Sequence, residues 1–211
     1  MFRLYSAQTA ETIIRRMDAS IRRIEARYRI PAPVLQAILF QEITQINLFD
    51  LFADWLVQLN WLRLSLRGGL DGALPTKLGL WNKLDSSTGY AQIFGCVGIQ
   101  AINFALDRGL TTAEELAVPT DRRLDAEDLH DLHAIWKRLH REASFNLEVA
   151  ALNILSAAAE KTGRIDFASY SPEELQQVLT RYNGTSREIS VYGKTAYSHV
   201  LRYTESAKTA V

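Results

Sequence analysis

The chain has 211 residues, 47% of them hydrophobic and 23% charged, with 11 Gly and 5 Pro. That is enough apolar surface for a sizeable core, and the wrong composition for collagen, a low-complexity polymer or a disordered chain. Its 24 Lys and Arg balance 24 Asp and Glu, so the net field that draws a basic protein to nucleic acid or an anionic membrane is missing.

The first 30 residues contain an amphipathic pattern from Glu11 to Arg29. Ile13, Ile14, Met17, Ile21, Ile24 and Tyr28 recur at the helical period, and arginines fill the other faces. Those arginines read as a solvated face before they read as a contact for an anionic polymer. The N-terminus turns polar within a few residues, without the apolar stretch of a secretory signal. Pro31 and Pro33 end this helix and open the next, Pro33 to Gln45, which is apolar nearly all round and therefore expected at the centre. Asn47 to Leu66, with Phe49, Phe52, Trp55 and Trp61, reads as a further buried helix or a broken pair, its aromatics expected in the core more than on a sugar-binding face. Glu42, Asp50, Asp54 and Arg63 interrupt this apolar region, so it lacks the roughly 18 uncharged residues of a membrane span.

Arg67 to Pro75 is a loop by its glycines and proline. A helix through Ala101 to Leu106 stops at Gly109, and Thr112 with Glu115 forms a capping box for a short helix. Ala126 to Arg141 and Asn146 to Thr162 carry helical periodicity. Ser171-Pro172-Glu173-Glu174 starts a helix that stops at Asn183-Gly184, and Tyr192 to Thr204 closes the chain as another. The expectation is one mainly α domain over 1–211, an N-terminal helix in 1–30 and a core in 31–205, with at most a short β-hairpin near residues 65–95.

Three places carry candidate chemistry. Glu42 shares an apolar stripe with Ile38, Leu39 and Ile46; burial there raises a carboxyl pKa and makes a proton donor near neutral pH. The alternative is a Glu at the helix end, exposed or paired with an arginine. In Ser86-Ser87-Thr88-Gly89-Tyr90-Ala91-Gln92-Ile93-Phe94-Gly95, Gly89 permits close backbone approach, Gln92 offers donor and acceptor, and Tyr90 and Phe94 offer stacking faces; the segment is equally a turn entering a helix. Arg181-Tyr182-Asn183-Gly184 is by itself a helix C-cap. His130, His133 and His140 share a helix without the spacing of a metal motif, and the lone Cys96 can neither form an internal disulfide nor hold a metal.

In this order the motifs resemble those of the lytic transglycosylase and goose-type lysozyme superfamily of peptidoglycan-cleaving enzymes. Ile38-Leu39-Phe40-Gln41-Glu42 is similar to the helix of the catalytic Glu, and Ser87 to Ile93 to the Ser/Gly…Gln cleft motif. The run from Ser144 to Leu155 is similar to the helix that an Asn, here Asn146, opens. Arg181 to Gly184 is similar to the Tyr-Asn-Gly motif, with Tyr192 or Tyr197 as the tyrosine that follows. The chain departs from the family in having Ile43 where a Ser usually follows the Glu, and in its 44 residues between Glu42 and Ser87.

The resemblance implies a lysozyme-like fold that cleaves the MurNAc-GlcNAc bond with Glu42 as general acid. It also implies a substrate cleft built by Ser87, Gly89, Tyr90, Gln92, Tyr182 and Asn183. An inverting hydrolase needs a second carboxylate roughly 6.5–9.5 Å away to activate water. Asp85 is the first choice, then Asp71, with Asp50 and Asp54 behind. A transglycosylase needs none, because the muramic acid 6-hydroxyl attacks. No cofactor or metal is expected. The partners implied are peptidoglycan strands and an inhibitor or immunity protein, with neither nucleic acid nor stable membrane insertion. Such a substrate places the site of action in the periplasm or wall after delivery from the cytoplasm, as for a phage lysis protein, an injected toxin or part of a secreted fusion. The competing expectation is a non-enzymatic wall-binding or protein-binding module.

Overall fold

The computed structural model describes residues 3–66 and 83–209. The loop expected over 67–75, with Asp71, lies outside the described residues. The helices are α1 (Ala7–Arg16), α2 (Asp18–Tyr28), α3 (Ala32–Gln45), α4 (Leu48–Leu66), α5 (Gly95–Asp107), α6 (Ala113–Leu116), α7 (Leu129–Arg141), α8 (Ala143–Thr162), α9 (Pro172–Asn183) and α10 (Val191–Thr209). The mainly α expectation holds. Most of the 65–95 stretch that allowed a short hairpin, residues 67–82, lies outside the described residues, which contain two isolated bridges, Arg3 with Asn47 and Thr88 with Ile93.

α3 and α8 are the two central helices, because both are apolar on every side and so must be surrounded. α10, α1 and α2 pack on α3, while α5, α9, α7 and α2 pack on α8. Both capping boxes form as their sequences predict, Thr112 with Glu115 and Ser171 with Glu174.

Two expectations need correction. The single N-terminal helix is two: the chain leaves helical geometry at Met17 (φ −92°, ψ 1°), and α2 resumes at once. Ala10 and Ile14 of α1, which packs on α3, and Ile21 and Ile24 of α2, which packs on α3 and α8, are all buried. α4 is one helix and is not buried. Its inner stripe is Leu56, Val57, Asn60 and Trp61, whereas Phe49, Phe52 and Trp55 are 70%, 49% and 55% exposed. No described helix is long and apolar enough to cross a membrane.

Candidate active site

Glu42 lies in the last turn of α3, in a core helix, and is only 8% exposed. The carboxylate opens into a cleft of about 440 Å³ whose walls come from Ile46, Asn47 and Asp50, from Ser87, Gln92 and Ile93, and from Arg181 through Thr185. Loss of water pushes its pKa up to about 7; Asp50 adds to the rise by like-charge repulsion, and a hydrogen bond from Tyr192 opposes it. The Tyr192 hydroxyl donates to Glu42 Oε1 at 2.5 Å. Tyr192 itself stays neutral, its pKa raised well above the ordinary value by burial and by the adjacent carboxyl. Hence Oε1 is the oxygen held by a donor.

Tyr192 reaches Glu42 because α10 approaches α9 closely at its neighbour Gly193. A side chain there would collide with Thr180 and with the Gln176 carbonyl. Of the two tyrosines that the sequence offered, Tyr192 is the one on the acid.

The loop 88–93 forms the opposite wall. Thr88 and Ile93 exchange both backbone hydrogen bonds at 3.1 Å, closing a tight turn. Gly89 sits at φ +70°, and a Cβ on it would strike the Asn146 side chain and the Leu139 carbonyl. Asn146, fully buried at the start of α8, donates to the Thr88 carbonyl at 3.0 Å and accepts from the Ala91 amide at 2.8 Å. The Tyr182 hydroxyl donates to the Ala91 carbonyl at 2.9 Å. Pinned from both sides, the loop holds Gln92 in the left-handed region at φ +49°, a conformation costing about 1–2 kcal/mol in a non-glycine residue. The Gln92 side chain donates to the Gly89 carbonyl and accepts from Ser87 Oγ at 3.3 Å.

Four of the six expected cleft residues, Ser87, Gln92, Tyr182 and Asn183, therefore line the cleft with Glu42. Tyr182 does so with its ring, since its hydroxyl is spent on the loop. Gly89 and Tyr90 line a neighbouring compartment instead.

Asp85 is the clearest correction: it does not line the cleft of Glu42. Its two oxygens accept from the Gly95 and Cys96 amides at 2.7 and 3.0 Å, capping the positive end of α5. Burial raises its pKa, and those backbone bonds work against the rise. The carboxylate that does share the cleft is Asp50, in the first turn of α4, where Oδ2 accepts from the Asn47 amide at 2.8 Å. Asp54 is bolted elsewhere, accepting from Ser86 Oγ at 2.6 Å and Thr88 Oγ1 at 2.7 Å, with His140 Nδ1 at 3.3 Å.

Sequence reasoning ranked Asp50 low and did not single out Asn153, a 9% exposed amide that lines the cleft from an apolar stretch of α8. The polar residue on an apolar helix that marked Glu42 was the available signal for Asn153. His133 stacks on Trp61, with ring centroids 4.4 Å apart. The described residues contain no cluster of three His, Cys, Asp or Glu able to hold a metal ion. Burial and nearby Asp85 push the Cys96 thiol up to about 11, so it stays protonated.

No family model, no curated protein and no solved structure matches this chain. Fold and site define a mainly α protein with a buried carboxylic acid at the floor of an amide- and hydroxyl-lined cleft. A group of that kind can donate a proton to a bound oxygen at neutral pH and then take one back.

Proposed function

We propose that the protein is a peptidoglycan glycosidase that cleaves the MurNAc-GlcNAc β-1,4 bond, with Glu42 as general acid. The observation that carries this reading is the Glu42 carboxyl itself: 8% exposed, held near pKa 7, fixed at Oε1 by Tyr192 and facing an open cleft. A glycosidic oxygen leaves only with a proton, and an acid still protonated near neutral pH supplies it. Gln92, Ser87, Asn153 and Asn183 present the neutral donors and acceptors that suit acetamido and hydroxyl groups. The resemblance of the motifs around Glu42, Gln92 and Tyr182 to the transglycosylase and goose-type lysozyme superfamily supports the same reading.

Glu42 donates its proton to the leaving oxygen as the bond to the muramic acid anomeric carbon breaks. An oxocarbenium-like centre results. In a transglycosylase outcome the 6-hydroxyl of the same sugar attacks that carbon and Glu42 takes its proton. In a hydrolytic outcome Asp50 takes a proton from an attacking water. Action in the periplasm or wall after delivery follows from this substrate.

Purified peptidoglycan digested by the protein and by Glu42→Gln, with fragments identified by mass spectrometry, tests the reading. Fragments ending in anhydro-muramic acid from the unmutated protein alone are expected for a transglycosylase, and reducing ends for a hydrolase that uses Asp50. Equal fragment release by both proteins, or none by either, contradicts it and favours a non-enzymatic binding module.

A further inference from the structure

The cleft does not end at Asp50. A second compartment, of about 280 Å³, shares Ile46, Asp50 and Gln92 with the first, and a third, of about 420 Å³, shares His140 and Arg141 with the second. The positions of α4 that line the three in turn are Asp50, Asp54, Gln58 and Leu62 with close neighbours. They recur every three or four residues and so make one face of the helix. From Asp50 to Leu62 that face runs about 18 Å at ~1.5 Å per residue. The facing bank is α7, where His133, Lys137 and Arg141 repeat at the same spacing.

The lining mixes aromatic and aliphatic side chains with an amide, imidazoles and cations. Trp55 stands on the α4 bank with 55% of its surface exposed, and its only ring neighbour among the described residues is Phe52, at 5.8 Å. Gln58 Nε2 lies 3.2 Å from His140 Nε2, tying the banks with groups that also bond hydroxyls. Lys137 and Arg141 are exposed cations on the opposite bank. Aromatic faces stack on the C–H faces of sugar rings, amides and imidazoles bond hydroxyls, and cations attract carboxylates.

We propose that the α4–α7 groove carries the stretch of glycan strand leading away from the scissile bond, with Trp55 as a sugar-stacking platform and Lys137 and Arg141 meeting the carboxylates of the strand's peptide stems. The proposal rests on the reading of Glu42 as a glycosidase acid. It makes the enzyme prefer long strands, because only a strand that runs past the 440 Å³ cleft reaches Trp55.

The test compares cleavage of long glycan strands and of a tetrasaccharide by the unmutated protein, Trp55→Ala and Phe49→Ala. Phe49 is an equally apolar, 70% exposed residue of α4 that lines none of the three compartments. Trp55→Ala is expected to raise KM for long strands roughly three- to tenfold, the worth of one aromatic stack. It should leave the tetrasaccharide rate and the melting temperature unchanged, and Phe49→Ala should behave as the parent on both. A Trp55→Ala protein that matches the parent on long strands, or loses equally on both substrates, overturns the groove assignment while the glycosidase reading stands. No cleavage of either substrate by the unmutated protein overturns the glycosidase reading and the groove with it.

Discussion

Glu42 and Asp54 are each 8% exposed and lie on consecutive helices, yet their surroundings assign them opposite roles. Asp54 accepts two short hydroxyl hydrogen bonds and lies against an imidazole, all inside the protein. It ties α4 to the 86–88 segment and to α7, and lines only the compartment beyond the cleft. Glu42 has one neutral donor and a cleft in front of it. Burial alone makes a carboxyl costly to ionise; whether it becomes a bolt or a proton donor depends on how many donors the fold aims at it and whether a substrate can reach it.

The comparison breaks first at activity. Glu42→Gln is expected to lower peptidoglycan cleavage by about 10²–10⁴-fold, the usual worth of a general acid, while circular dichroism stays that of the parent. The corresponding Asp54→Ala change is expected to act on stability instead. Two buried hydroxyls lose their Asp54 acceptor, at a cost of about 2–4 kcal/mol visible as a lower denaturation midpoint.

A third, smaller effect has the opposite sign. The native protein binds a proton on Glu42 that the unfolded chain has released, so stability falls as pH rises from about 4.5 to about 7 and is level above. At pH 8 Glu42→Gln is therefore expected to be more stable than the parent, by up to about 3 kcal/mol. At pH 4 the gain should vanish. Thermal melts of both proteins across that range check the sign.

The smallest effects sharpen the origin of the Glu42 shift. Tyr192→Phe removes the hydrogen bond that favours the carboxylate, so the alkaline fall in cleavage rate moves to higher pH. Asp50→Asn removes a like charge and, in a transglycosylase, moves that fall to lower pH; in a hydrolase that uses Asp50 as base the same change instead lowers the rate at every pH. Rate profiles between pH 5 and 9 separate the two variants.

How much of this was readable in the sequence depends on the range of the interaction involved. Glu42 was readable because a carboxylate among Ile38, Leu39 and Ile46 violates a local helical pattern. The capping boxes at Thr112 and Ser171 were readable because capping is complete within four residues. The break at Met17 has no Gly or Pro to announce it; it accompanies the packing of both helices on α3 with α2 alone also reaching α8. The apolar residues of α4 suggested burial, but no sequence rule says which side of a helix finds a neighbour.

The second carboxylate shows the same limit. Asp85 stood next to the Ser87–Gln92 motif in sequence and was preferred for that reason, while the start of α5 claims it in space. Asp50, eight residues after Glu42, reaches the cleft because α4 turns back along its rim. Tyr192 needed the close approach at Gly193, a contact between helices that periodicity does not encode.

The most direct measurement is a carbon-13 NMR titration of side-chain carboxyls in the protein and in Glu42→Gln. One carboxyl titrating near pH 7, absent from the variant, is the predicted result. A Glu42 carboxyl that titrates near its ordinary 4.5 would contradict the central claim, because such a group is already ionised at neutral pH and has no proton to donate.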